Sequence, residues 1–169
     1  MCRRENVPEP DYLCPWCGRV IRIPLGTSSH QTHCKDIHDA AKEGTVGDVR
    51  YFIEQRGISV NARHKNGNTP LHFAAAYNHV EVLDYLISKG ALINATNVLG
   101  STPLHYAANF TANTEVVRHL IRTGAFVNAR KHPPDGRTPL DMVEFNWNDD
   151  NWRISDMLIE SGGMSGSEF

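Results

Sequence analysis

The sequence predicts an all-α solenoid of helix-turn-helix units that stack one after another and carry β-hairpin tips. Two recurring signals predict this fold. A Thr-Pro-Leu tripeptide, followed twice by His and once by Asp, recurs at intervals of 33 and 36 residues, beginning at Thr69, Thr102 and Thr138. An Asn-Ala pair recurs at intervals of 33 and 34 residues, beginning at Asn61, Asn94 and Asn128. A period of this size is typical of an array in which each unit buries its apolar face against its neighbours.

Each unit contains the local signals for a turn and two helices. Gly67, Gly100 and Gly136 supply the glycine that a tight turn needs, two residues before each threonine. The threonine can cap the next helix, and proline suits its first position because an N–H there would be unpaired anyway. A short helix is therefore predicted at each Thr-Pro, and a second helix within residues 80–87, 115–121 and 152–159. Gly90 and Gly124 stand just past two of these helices, where a left-handed residue closes a helix.

The segment NGNTPLHFAAAYNHVEVLDYLISKGALIN, residues 66–94, resembles the ankyrin repeat almost position by position. The resemblance covers about residues 36–163 and implies four repeats, at 36–60, 61–93, 94–127 and 128–163. The first repeat lacks its own hairpin and has one extra residue, which we place near Gly44. The last repeat diverges at Asp141 and resembles a terminal capping repeat. The other predicted segments are an N-terminal tail at 1–12, a zinc-finger-like module at 13–35 and a flexible tail at 164–169.

The ankyrin resemblance also implies a function, because stacked repeats present an extended concave surface. We expect a non-catalytic adaptor or scaffold that binds another protein of unknown identity. In this family the contacts usually come from the hairpin tips and the exposed side of each first helix. Four of the corresponding residues, Val98, Leu99, Phe110 and Phe145, would form an exposed apolar strip unless they pack under their own loops. The full candidate set is Lys65, Asn66, Asn68, Tyr77, Val98, Leu99, Ser101, Phe110, Pro133, Asp135, Arg137 and Phe145.

The sequence has no arrangement of residues typical of an enzyme. His72 and His105 recur at the repeat period, and the ankyrin resemblance implies that they form hydrogen bonds between neighbouring turns. No serine, cysteine or carboxylate combines with them into a nucleophile and base, and no glycine-rich phosphate loop is present. We therefore predict no catalytic residues and no small-molecule substrate.

The four cysteines all lie in the first fifth of the chain, which favours a metal site over a disulfide framework. Cys14 and Cys17 have the spacing of a zinc knuckle, and the pattern continues as Cys14-x2-Cys17-x12-His30-x3-Cys34. This pattern is similar to a Cys-Cys-His-Cys zinc finger of the two-strand-plus-helix kind. It implies one structural zinc ion per chain, because four protein ligands leave no position for a catalytic water.

Two other sets of zinc ligands are compatible with the sequence. Both use His33 as the third ligand, with either His38 or Cys34 as the fourth. A segment of about thirty residues with almost no core needs a metal to order it, and structural zinc supplies on the order of 10 kcal/mol. The finger helix, expected from Ser28 to about Lys35, runs without proline or glycine into the first ankyrin helix. We therefore hypothesise that the finger caps the N-terminal end of the stack.

Charge and hydropathy argue against a membrane protein and against a strong nucleic-acid binder. The chain has no run of about 18 apolar residues, so we expect a soluble intracellular protein, cytoplasmic or nuclear, without a membrane partner. Residues 1–35 carry five Lys or Arg against three Asp or Glu, and residues 36–169 carry twelve against sixteen. Neither part is a strong polycation, which lowers the expectation of nucleic-acid binding. The alternative function is a nucleic-acid-associated factor that uses Arg19 and Arg22 of the finger.

Overall fold

The chain divides into two compact units, Met1–His33 and Cys34–Phe169. A computed structural model describes residues 11–13, 20–22, 34–110, 114–145 and 151–168. In the first unit, strand β1 (Asp11–Leu13) pairs antiparallel with strand β2 (Val20–Arg22). The register places Tyr12 opposite Ile21.

The second unit forms four successive helix pairs within its described residues, and one pair lies in each predicted repeat range. Helices α3, α5 and α7 begin at the proline of a Thr-Pro, which confirms the prediction from the capping signals. None of the described helices combines the length and the apolar composition needed to cross a membrane. The pairs are α1 (Ile37–Glu43) with α2 (Val46–Arg50), α3 (Pro70–Ala76) with α4 (Val80–Ser88), α5 (Pro103–Phe110) with α6 (Thr114–Arg122), and α7 (Pro139–Phe145) with α8 (Trp152–Glu160).

The core lies between two layers of helices. The first helix of each pair packs on the first helix of the next, and the second helices do the same, so each pair contacts its neighbours in sequence. Leu71 and Leu104 of the first layer and Leu83 and Leu120 of the second are at most 1% exposed. Full burial of a leucine side chain stabilises a fold by roughly 2 kcal/mol. The repeated apolar positions therefore hold the stack together.

The beginning of the second unit differs from the sequence prediction. We expected the finger helix to run through Lys35 into the first ankyrin helix, but Cys34 and Lys35 are not helical. Asp36 is extended, with φ of −153°, and its carboxylate accepts hydrogen bonds from the N–H groups of His38 and Asp39 at 2.8 and 3.0 Å. This side-chain cap begins a separate helix α1. Residues 28–33 of the predicted finger helix lie outside the described residues.

The extra residue of the first repeat does not lie near Gly44, as the sequence suggested. Gly44 has φ of 80° and Asn78 has φ of 63°, and each stands six residues after the corresponding histidine, His38 or His72. The inserted residue is instead absorbed after α2 by a π-helical turn, Tyr51–Gln55, in which the Arg56 N–H donates to the Tyr51 carbonyl. A π turn takes one more residue per hydrogen-bonded ring than an α turn, so the apolar residues on both sides keep their register.

The loops before α3, α5 and α7 form three tips: the first tip at residues 63–67, the second at 97–100 and the third at 130–137. They are tight turns and not the β-hairpins that we expected, since the described part of residues 34–168 contains no strand. Each turn is closed by backbone hydrogen bonds, such as that from the His64 N–H to the Asn68 carbonyl at 2.8 Å.

Residues 164–168, for which the sequence predicts a flexible tail, lie against the fourth repeat. The Met164 N–H donates to Asn128 Oδ1 at 2.8 Å, and the Gly166 N–H donates to Asp141 Oδ2 at 2.8 Å. The bond to Asn128 has an equivalent earlier in the array, where the side chain of Asn61 accepts a hydrogen bond from the Leu92 N–H. The pattern of asparagine bonds between repeats thus continues past α8.

Candidate partner-binding surface

Two buried histidines fix the tips to the helices. The backbone N–H of Thr69 donates to His72 Nδ1 at 3.1 Å, so this nitrogen is an acceptor and the ring proton lies on Nε2. His72 Nε2 then donates to the Ser101 carbonyl of the next repeat at 3.0 Å. His105 repeats both contacts, with the Thr102 N–H at 3.1 Å and the Arg137 carbonyl at 3.1 Å. These bonds confirm the structural role that the ankyrin resemblance implied.

The environment of both histidines favours the neutral ring. Burial lowers the pKa of His72 to about 4, and burial also lowers the pKa of His105 to about 4. Protonation would place a donor at Nδ1, facing a backbone N–H that is itself a donor. The two rings therefore act as neutral links between repeats at physiological pH.

The three tips are bonded to one another in a single row. The Val98 N–H of the second tip donates to the Asn66 carbonyl of the first at 3.1 Å, and the His132 N–H of the third tip donates to the Leu99 carbonyl at 2.9 Å. Gly100 has φ of 76°, and a Cβ atom there would lie 2.6 Å from the His132 backbone nitrogen. Glycine is thus required both by the backbone conformation and by the approach of the next tip.

Two of the residues predicted to contact a partner, Asn68 and Ser101, lie inside the protein. Asn68 and Ser101 are each 6% exposed. Asn68 Oδ1 accepts from Asn97 Nδ2 at 2.8 Å and from the Tyr106 hydroxyl at 3.1 Å. The Ser101 N–H donates to Asn97 Oδ1 at 3.0 Å, and its carbonyl accepts from His72. Both residues close the turns from inside and are not available to a partner.

The apolar pair at the second tip is exposed. Val98 is 61% exposed and Leu99 is 59% exposed. Lys65 and Asn66 of the first tip are also exposed. Tyr77, which follows α3, is 50% exposed, and the Lys42 ammonium lies 5.4 Å from the centre of its ring. The exposed residues of the first and second tips are therefore accessible on a backbone that the bonds between tips hold in place, and Tyr77 is accessible at the end of α3.

The third tip carries a compact group of charges. Asp135 pairs with Arg137 and with Lys131, and the hydrogen bond from Arg137 lowers the pKa of Asp135 to about 2. Pro133 is exposed at the same tip. The side chains of Phe110 and Phe145, the other two members of the predicted apolar strip, lie outside the described residues.

Among the exposed apolar residues that the sequence reasoning missed, two recur at the repeat period. Leu92 is 59% exposed and Phe126 is 65% exposed. They occupy equivalent positions in successive repeats, two residues after Gly90 and Gly124. The signal that could have identified them was a large apolar side chain recurring at the repeat period outside the helices.

Only one predicted zinc ligand of the favoured set is described. The Cys34 thiol donates to Asp48 Oδ2 at 3.5 Å, and burial, followed by the Asp48 charge, raises its pKa to about 12. Zinc binding requires the thiolate, so the metal would have to replace this contact. Cys14, Cys17 and His30 lie outside the described residues, as does the rival ligand His33. The described residues bring no three His, Cys, Asp or Glu side chains together in a metal-binding group.

The rival zinc ligand His38 is buried within the second unit. His38 is 8% exposed, and its Nε2 lies 2.9 Å from the Ala62 carbonyl. Its Nδ1 lies 3.3 Å from Asp36 Oδ1. Both nitrogens therefore contact oxygen atoms of the second unit, and the Nε2 contact with a backbone carbonyl matches those of His72 and His105.

The chain is similar to parts of several longer proteins. It is 32% identical over 160 residues to the E3 ubiquitin-protein ligase Ufd4 of Drosophila melanogaster, a match that covers 95% of this chain and 6% of the ligase. It is 46% identical over 50 residues to alpha-latrocrustotoxin-Lt1a of Latrodectus tredecimguttatus, covering 30% of this chain and 4% of the toxin. It is 40% identical over 62 residues to acyl-CoA-binding domain-containing protein 1 of Arabidopsis thaliana, covering 37% of this chain and 18% of that protein.

The chain therefore spans less than a fifth of each of these three relatives. Two family models match segments of the chain. Residues 53–107 match the model for ankyrin repeats in many copies, and residues 99–132 match the model for a single ankyrin repeat. Together with the stacked helix pairs and the histidine bonds between turns, these matches identify residues 53–132 as ankyrin repeats.

Proposed function

We propose that this chain is a non-catalytic adaptor that binds a protein partner through the exposed residues of its tips and first helices. The observation that carries the proposal is the exposure of Val98 and Leu99, 61% and 59%, on a backbone fixed by bonds to both neighbouring tips. Exposed apolar groups on a rigid frame are typical of interfaces, because little conformational entropy is lost on binding. Ankyrin repeats are, in addition, interaction modules.

The chain offers a matched pair of variants to test this function. Leu99 and Leu92 are both 59% exposed, but only Leu99 lies on the tips. Affinity capture from cell extract, followed by quantitative mass spectrometry, should lose the partner with Leu99→Ser and retain it with Leu92→Ser. Thermal melts of both variants should match the parent chain. Loss of the same partner with both variants, or with neither, would contradict the proposed surface.

The second part of the proposal is one structural zinc ion per chain, held by Cys14, Cys17, His30 and Cys34. The antiparallel strands β1 and β2 flank the stretch that carries Cys14 and Cys17, which supports a knuckle at that position. The resemblance to Ufd4 extends over 95% of the chain, so it includes most of the first unit together with the repeats. The zinc site belongs to a cytoplasmic or nuclear protein, since reducing compartments preserve free thiolates.

Native mass spectrometry before and after chelation tests the zinc site. We expect one zinc ion per chain, lost in Cys14→Ser and His30→Gln but kept in Cys2→Ser and His33→Gln. Loss of zinc in His33→Gln with retention in His30→Gln would move the third ligand to His33. If the finger caps the stack, chelation should lower the melting temperature of the ankyrin transition in a calorimeter. An unchanged melt would contradict the capping role.

A further inference from the structure

We propose that the row of tips selects an extended acidic segment of its partner, with apolar residues between the acidic ones. This inference rests on the proposed function and names the chemistry of the partner. The row is defined as the three tips, residues 63–67, 97–100 and 130–137.

Charge is unevenly distributed between this row and the rest of the array. The row has one acidic residue, Asp135, among the sixteen of residues 36–169. It holds five of the twelve basic residues of that range, namely Arg63, Lys65, Arg130, Lys131 and Arg137. The remaining seven basic residues are outnumbered by fifteen acidic ones. The tips are therefore a basic stripe on a protein of net negative charge, and such segregation attracts acidic ligands to that stripe.

The contacts of the basic residues hold them in place at both ends of the row. Arg63 Nη1 donates to the Thr96 carbonyl at 2.9 Å, and neither Arg63 nor Lys65 forms an ion pair within the described part of the chain. At the third tip, Asp135 pairs with both Lys131 and Arg137 and offsets one of the two charges. The next carboxylate, Asp141 of α7, also acts on Arg137, so the three basic residues of the third tip, Arg130, Lys131 and Arg137, outnumber the two nearby carboxylates by one. An excess of positive charge therefore lies on both sides of the second tip.

The second tip is the apolar centre of the row. Val98 and Leu99 are bonded through their backbones to Asn66 of the first tip and His132 of the third, so they lie between the two basic tips. Neighbouring helices in a stack are about 8–10 Å apart, so the row is about 20 Å long. An extended chain covers that length with about six residues. A short segment with acidic ends and an apolar middle matches both the charge and the length.

The same features argue against other occupants. In a two-fold dimer built on this row, each basic tip would face a basic tip of the other copy, which is unfavourable. Single-stranded nucleic acid is usually held by aromatic side chains on which the bases stack, whereas the centre of this row is aliphatic. An acidic protein segment is the occupant that uses both the charge and the apolar pair.

Fluorescence anisotropy with the full zinc-loaded chain tests the proposal. The probe is a fluorescein-labelled peptide, EEDLVDEE, compared with the uncharged peptide QQNLVNQQ, the peptide EEDSSDEE and a labelled oligothymidylate of eight nucleotides. We expect the first peptide to bind at least about tenfold more tightly than the other three, a difference of about 1.4 kcal/mol. Its binding should weaken as salt is raised from 50 to 300 mM, because screening shortens the range of charge attraction.

Matched variants assign the binding to the row. Lys65→Glu and Leu99→Ser should each weaken the EEDLVDEE peptide about tenfold, whereas Arg56→Glu and Leu92→Ser, which alter exposed residues outside the row, should change it less than about twofold. Equal binding of the oligothymidylate, unaffected by Leu99→Ser, would overturn the proposal in favour of a general polyanion site.

The two proposals can fail separately. If Leu99→Ser abolishes capture of the cellular partner but no acidic peptide binds at 1 mM, the interface is correct and the inferred chemistry is wrong. If Leu99→Ser affects neither capture nor peptide binding, both proposals are wrong.

Discussion

Gly100 shows how a single residue joins two repeats. Alanine at this position would have to adopt φ of 76°, and its Cβ would lie 2.6 Å from the His132 backbone nitrogen. Gly90 has φ of 86°, but no atom lies within 4 Å of the place where its Cβ would be. A comparison of the two glycines therefore separates the cost of backbone strain from the cost of the steric clash. We expect Gly90→Ala to lower the free energy of unfolding by about 1–2 kcal/mol, from backbone strain alone. Gly100→Ala should lower it by about 2 kcal/mol more, because the third tip must move.

Urea denaturation followed by circular dichroism measures both glycine variants under the same conditions. Equal losses would show that the close approach of the tips does not contribute to stability.

The buried histidines predict a specific dependence of stability on pH. Burial lowers the pKa of His72 and of His105 from the ordinary 6.5 to about 4, so between these values the unfolded chain binds more protons than the folded chain. Their contribution is therefore complete above pH 6.5 and is lost as the pH falls toward 4. The full loss is on the order of 3 kcal/mol for each histidine.

Chemical denaturation at pH 7.5, 6, 5 and 4.5 follows this loss. A free energy of unfolding that stays constant from pH 7 to 5 would show that the two rings are not held neutral by the fold.

At the scale of the element, α7 has an aspartate at the position that a histidine occupies in α3 and α5. Asp141 Oδ2 accepts from the Thr138 N–H at 2.7 Å, where the second and third repeats use histidine Nδ1, and it also accepts from the Gly166 N–H at 2.8 Å. Asp141→Ala should lower the free energy of unfolding by about 1–2 kcal/mol, as the loss of a helix cap does. It should also accelerate hydrogen exchange at the Gly166 amide.

Asp156→Ala provides the control, because Asp156 is an exposed acidic residue of α8. Unchanged exchange at Gly166 in Asp141→Ala would mean that residues 164–168 are held by other contacts.

The elements also show which parts of the fold the sequence could predict. The starts of α3, α5 and α7 were predicted correctly because their caps are local, with Thr, Pro and Gly within a few residues of one another. The π turn at Tyr51–Gln55 was not predicted, because the sequence shows that the first repeat is one residue longer but not which helical turn widens to take that residue. The burial of Asn68 depends on Tyr106, which lies 38 residues away and comes close only through stacking. Contacts of that kind follow from the packed array and not from any local pattern.

At the scale of the whole molecule, stability should depend on position in the stack. Helix α5 packs on both α3 and α7, whereas α7 has its strong first-layer contact with α5 alone within the described residues. Leu104 of α5 is 1% exposed and Leu140 of α7 is 6% exposed. We expect Leu104→Ala to lower the free energy of unfolding by about 4 kcal/mol and Leu140→Ala by about 2 kcal/mol.

Hydrogen exchange adds a spatial measurement to this prediction. Leu140→Ala should increase exchange mainly in α7 and α8, and Leu104→Ala should increase it in the helices on both sides. The same pattern for both variants would show that the array unfolds only as one cooperative unit.

The backbone bonds between the tips have a direction. Val98 of the second tip donates to the first tip, and His132 of the third tip donates to the second, so every such bond runs from the later tip to the earlier one. One end of the row consequently presents N–H groups and the other presents carbonyls, and the two ends are chemically different. Two arrays could extend this ladder only head to tail, with the leading end of one against the trailing end of the other. Arrays joined through these ends would therefore form rings or open filaments and not two-fold dimers.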